Sequence, residues 1–150
     1  MSSWLHRTIL AGLLLTAYLY AWTPLRTQWT KMATVILQEA APASQTVTAR
    51  PDAHTMQVSA SDGGDTISYR APAGVKFLLP GCFLLLLAPA RPRLGSFWAG
   101  HAGLGLLTVA TATAGLAGLP GGLGLASFIQ QYGVDAYSLA VPAFVFARTR

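Results

Sequence analysis

Charge is what this chain has least of. Its 150 residues include ten Lys and Arg and five Asp and Glu, so charged side chains make up 10%, where soluble domains carry roughly 25%. A soluble globule of this length needs more charge to cover its surface. The 53% hydrophobic content is too high for a disordered chain. The single cysteine, Cys82, excludes an internal disulfide. His6, His54 and His101 lie far apart and lack zinc-ligand spacing, and nothing in the sequence implies a cofactor. There is no G-x-S-x-G elbow, no Walker loop and no H-E-x-x-H pair, so these signatures of hydrolases, NTPases and zinc proteases are missing. What remains is an integral membrane protein, in line with a mean hydropathy of +0.46.

The cations present do not form a patch. Arg7, Arg26, Lys31, Arg50, Arg70, Lys76, Arg91, Arg93, Arg148 and Arg150 stand mostly at the ends of apolar runs, the pattern of positive-inside flanks. The implied partner is the lipid bilayer, not nucleic acid, despite a net charge of +5.

Eighteen uncharged residues lie between Arg7 and Arg26. With its flanks this run approaches the roughly 20 residues needed to cross a bilayer and predicts an uncleaved anchor over 8–24, bracketed by Trp4 and Trp22; the alternative is a signal peptide, for which Leu19-Tyr20-Ala21 is a poor cleavage site. Trp29, Met32, Ala33, Ile36 and Leu37 then recur at helical spacing, opposite Gln28, Lys31, Gln38 and Glu39. This predicts an amphipathic helix, either on the membrane surface or packed on the protein itself. Residues 42–54 read as a loop. Met56, Val58 and Ala60 alternate with polar residues, and Asp62-Gly63-Gly64 is a turn signal, so a β-hairpin is expected across 55–70.

The next apolar run predicts a span over 71–90, kinked at Pro80 and closed by Arg91-Pro92-Arg93. From Leu94 to Val134 there is no charge, and Leu119-Pro120-Gly121-Gly122 punctuates the run. Spans are therefore expected at 97–118 and 123–147. Ala99, Gly103, Ala110, Ala114 and Gly118 recur at small-residue spacing, which suits close helix packing within one subunit or between subunits. The expected fold class is thus an all-α membrane protein: four transmembrane helices, an outer amphipathic helix and a β-hairpin, forming one domain. With Arg7 cytoplasmic, Arg91, Arg93, Arg148 and Arg150 fall on the same side. Residues 25–70, which hold four of the five acids, fall outside, and both termini lie in the cytoplasm of a bacterial-type inner membrane.

Three places have chemical potential. Asp135 is the one acid inside an expected span, and intramembrane ionisable residues are functional candidates. Gln131 shares its helix face at a spacing of four. The alternative is that Asp135 only caps a helix or faces the interface. Cys82 is a candidate nucleophile with His101 of the next helix as a base approaching in space, although cysteines in apolar helices are commonly inert. His101 is otherwise expected at the interface.

The layout resembles the exosortase/archaeosortase family of membrane cysteine transpeptidases. The corresponding stretch is Tyr69-Arg70-Ala71-Pro72-Ala73-Gly74-Val75, leading into Phe77–Ala90 and the Pro89-Ala90-Arg91-Pro92-Arg93 turn. The Gly-Val pair and the Pro/Arg turn fit. Pro72 stands where the family has its catalytic cysteine. The later Asn-x-x-Arg is missing from a third helix that ends Thr111-Ala112-Thr113-Ala114-Gly115, and the final-helix histidine is missing too. Taking Pro80-Gly81-Cys82 as the motif instead puts the cysteine inside the span.

The resemblance therefore implies a catalytically silent relative or an accessory protein of such a system. The expected function is a non-enzymatic accessory or scaffolding subunit with a membrane-protein partner. The alternatives are a membrane-embedded cysteine transpeptidase or protease using Cys82, and a small transport or proton-pathway component using Asp135.

Overall fold

The computed structural model describes residues 3–50, 55–60, 67–70, 75–87 and 94–148. The chain is mostly helical. Helix α1 (Ser3–Ala40) leads into three strands, β1 (Gln45–Arg50), β2 (Thr55–Ala60) and β3 (Ile67–Arg70). Helices α2 (Val75–Leu87), α3 (Leu94–Leu116) and α4 (Gly122–Phe128) follow, then a π-helical turn (Ile129–Gly133) and α5 (Val134–Arg148).

Where the sequence suggests an anchor and a separate surface helix, the structure has one helix with a bend of 44° between Leu5–Trp22 and Pro24–Ala40. Pro24 lies inside it. Proline removes one i→i−4 bond and crowds the preceding turn, which bends a helix without ending it when neighbours hold both arms. The second arm packs on the protein itself, with Trp29, Ala33 and Leu37 of the expected face turned inward but the face rotated away from Met32 and Ile36. Thr30, Ala33, Thr34 and Leu37 are buried, whereas Met32 and Ile36 are 62% and 46% exposed. Two threonines take inner positions because their hydroxyls are satisfied within the helix. Thr30 Oγ1 donates to Arg26 O at 2.9 Å and Thr34 Oγ1 to Thr30 O at 2.7 Å.

The expected hairpin is part of a three-stranded antiparallel meander in the order β1-β2-β3. The loop reading of 42–54 missed β1, because Pro42 and Pro51 bracket the strand instead of interrupting it. The register aligns Val47 with Val58 and Val58 with Ile67, and Thr48 with Gln57 and Gln57 with Ser68. Val47 is buried against the second arm of α1, and Gln38 Nε2 donates to its carbonyl at 3.1 Å. The Asp62-Gly63-Gly64 turn, residues 71–74, the Arg91-Pro92-Arg93 turn and the side chains of Trp4 and Lys76 lie outside the described residues.

Among the described residues four helical runs alternate in direction. Arg7 Nη1 donates to Leu87 O at 3.4 Å, which sets the start of α1 beside the carbonyl end of α2, where a cation is favoured. At this end one apolar cluster joins Leu14 and Tyr18 of α1, Leu78, Cys82 and Leu85 of α2, Phe97 of α3, and Tyr137 and Val145 of α5. At the other end a second cluster joins Ala33 and Leu37 to Val47 of the sheet, to Val109, Ala112 and Leu116 of α3, and to Ala126 of α4.

The α3–α4 connection follows from its glycines. Gly118 has φ +100, and Leu119 N–H donates to Ala114 O at 2.9 Å while Gly118 N–H donates to Gly115 O at 3.2 Å. This is a Schellman stop. Leu119-Pro120-Gly121-Gly122 then forms a type II turn, with Gly121 at φ 78, ψ −3 and Gly122 N–H on Leu119 O at 3.1 Å. Gly115 and Gly122 meet directly, since a Cβ on Gly122 would lie 2.5 Å from Gly115 Cα.

No single described helix is long and apolar enough to cross a membrane, although the two arms of α1 pass together by length and composition. The reasons are local. With 13 residues, α2 reaches about 20 Å against a hydrocarbon core of roughly 30 Å. Helix α3 has 23 residues, but its glycines, threonines and His101 dilute its hydropathy. The run from Gly122 to Arg148 is diluted by Gln130, Gln131 and Asp135.

Candidate functional site

Within the first cluster, α3 and α5 bring together a polar group that the two apolar helices enclose. His101 of α3 is half-buried. Its Nε2 lies 2.8 Å from Ser138 Oγ of α5, and its Nδ1 lies 3.0 Å from Phe97 O, one turn back on its own helix. Ser138 is fully buried, and its hydroxyl is also 2.7 Å from Val134 O. Tyr137 OH donates to Phe97 O at 3.3 Å.

Aromatic contacts lock the imidazole. Its centroid is 4.6 Å from Phe97 and 5.0 Å from Tyr137, both edge-on, and those two rings stack at 5.6 Å. Glycine makes this closeness possible, since a Cβ on Gly100 would overlap the Tyr137 phenol.

Helix α2 completes the enclosure. A Cβ on Gly81 would lie 2.5 Å from Ser138 O and 2.8 Å from Phe97 Cζ. Ser138 O can face a neighbouring helix because Pro142, four residues on, has no N–H to give it. Here α2 and α5 cross with backbone nearly touching backbone.

Cys82 is fully buried in the same cluster, with the Trp98 indole N–H against its sulfur. Trp98 in turn meets Trp22 of α1 at 5.9 Å. No hydrogen bond joins Cys82 to His101 among the described residues, and both imidazole nitrogens are engaged elsewhere. The sequence-level pairing of Cys82 with His101 is thus replaced by a pairing of Ser138 with His101. His101 itself is half-buried where α3 packs on α5.

Asp135 is half-buried in the first turn of α5, and Gln131, four residues earlier, is exposed in the π-helical turn. The buried glutamine is Gln130, at 9% exposure. Tyr137 and Ser138 are two of several polar residues in the final run, and only the rotation of α5 about its axis selects Ser138. Among the described residues no group of three His, Cys, Asp or Glu side chains could hold a metal ion.

No protein-family model matches the chain, and no curated protein and no solved structure matches it. The resemblance in layout therefore stands on the residues quoted for it alone.

Proposed function

We propose that the chain is a polytopic membrane protein that acts without chemistry of its own, as an accessory or scaffolding subunit of a membrane complex. The partner we assign is a surface-protein processing enzyme of the exosortase type, with both termini of this chain in the cytoplasm. The observation that carries the reading is the outward surface. Large apolar side chains stand exposed on every helical run, among them Leu13 at 61%, Leu19 at 64%, Leu87 at 64%, Leu106 at 61%, Phe128 at 59% and Phe144 at 58%. Exposed apolar residues are ordinary when single, but their presence on every run of a chain with only 10% charged residues supports a lipid-facing exterior.

The hydroxyls support the same reading. Thr16, Thr30, Thr34, Thr108, Thr111 and Thr113 each donate to a carbonyl four residues back, so these polar groups need no water. The non-enzymatic part is supported by Cys82, which sits in an apolar cluster with no base hydrogen-bonded to it among the described residues, where a thiolate nucleophile needs one.

The test is purification from native membrane in a mild detergent. The expected result is carbonate-resistant membrane association and a stoichiometric membrane-protein partner. Recovery from the soluble fraction would overturn the membrane reading, and a stable monomer without partners would overturn the subunit reading.

A further inference from the structure

Proton counting singles out the His101–Ser138 pair. Three contacts meet there: His101 Nδ1 with Phe97 O, His101 Nε2 with Ser138 Oγ, and Ser138 Oγ with Val134 O. Both carbonyls only accept, so the first contact needs a proton on Nδ1 and the third needs the serine proton. With the serine proton spent on Val134 O, the second contact needs a proton on Nε2. A neutral imidazole and a serine supply two protons between them for three contacts. An imidazolium and a serine supply three.

We propose that His101 and Ser138 form a proton-binding site in the packed interface between α3 and α5. This goes beyond the scaffold reading and stands without it. In the unloaded state Nδ1–H donates to Phe97 O, Ser138 donates to Nε2, and Val134 O loses the serine. Loading places a proton on Nε2, which then donates to Ser138 Oγ, and the hydroxyl turns back to Val134 O. Nothing else moves: Phe97 and Tyr137 hold the ring on two sides, and Ser138 is fixed by the helix. His101 lies about two turns from the Leu94 end of α3, the end from which a proton reaches it.

In the cluster around the pair the ionisable side chains are Tyr137 of α5, Cys82 of α2 and Tyr18 of α1, and Asp135 lies one turn before Ser138 on α5. At the ring itself the added charge is met by the Phe97 carbonyl and the Ser138 hydroxyl.

Nitrogen NMR of imidazole-labelled full-length protein in lipid nanodiscs tests this, between about pH 5 and 8, with His101→Gln assigning the signal. The expected neutral ring carries its proton on Nδ1, the reverse of the tautomer free histidine prefers, and takes up one proton on Nε2 as pH falls. Ser138→Ala should weaken proton binding about five- to tenfold, the worth of one hydrogen bond, and Ser138→Thr should restore it. A neutral ring with its proton on Nε2 would overturn the proposal, as would equal proton affinity in Ser138→Ala and wild type. The wild-type tautomer decides even where Ser138→Ala fails to fold.

Discussion

Single residues set how closely these helices approach, and glycine is the sharpest case. Gly81 and Gly115 each face backbone from another segment, with a Cβ at Gly115 2.5 Å from Leu123 N. Neither neighbour can rotate away. Gly81→Ala and Gly115→Ala are each expected to cost about 1–3 kcal/mol through overpacking, read as a lower unfolding temperature by circular dichroism in detergent. Gly103 is the control. A Cβ there meets nothing within 4 Å, so Gly103→Ala should be neutral or gain up to about 1 kcal/mol by stiffening the helix. Cys82→Ala should cost roughly 1 kcal/mol by leaving a small cavity and leave partner recovery unchanged. Loss of the partner with the fold intact would reopen the thiol as a functional group. Neither Gly81 nor Gly115 is distinguishable from Gly103 by composition. What separates them is the rotation of each helix, which a one-dimensional string does not state.

Helical runs and their stops were legible in the sequence, because apolar length and Pro-Gly punctuation act locally. The Leu119–Gly122 turn is the clearest example. Its Gly118 and Gly121 adopt positive φ, so Gly118→Ala and Gly121→Ala should each cost about 1–2 kcal/mol, measurable by the same thermal unfolding, while Leu119→Ala should cost less. Strand β1 was not legible, since its six residues are too few to announce a period and its pairing partner β2 begins beyond Pro51. The unbroken α1 was not legible either, because Pro24 predicts a break and only packing on both arms keeps the helix continuous.

The final run shows a subtler case. Its buried residues are Gly122, Ala126, Gln130, Val134, Ser138 and Pro142, one every four. An α-helix of 3.6 residues per turn drifts about 40° with each such step. The wider π-helical turn at Ile129–Gly133 takes up part of that drift, and so keeps Ser138 turned toward His101.

At the scale of the molecule, the alternating runs place Arg7 with the α2 carbonyl end and the meander at the opposite end. The membrane reading makes this an orientation that can be tested. Because Cys82 is the only cysteine, a Cys82→Ala background permits single-site labelling. Ser44→Cys and Leu119→Cys should react with an impermeant maleimide added outside intact cells, and Arg150→Cys only after lysis. The reverse pattern would invert the topology, and labelling of all three from outside would remove it.

The sequence by itself determined that the chain is helical, apolar and basic-flanked, because hydrophobic content and charge position are properties of composition and order. The tertiary structure decided which polar groups meet. His101 and Ser138 are 37 residues apart on separate helices, and a contact of 2.8 Å depends on helix rotation, on the glycines that let backbones touch, and on Pro142 freeing a carbonyl. None of these is a local property of the chain, so the site became visible only once the helices were packed.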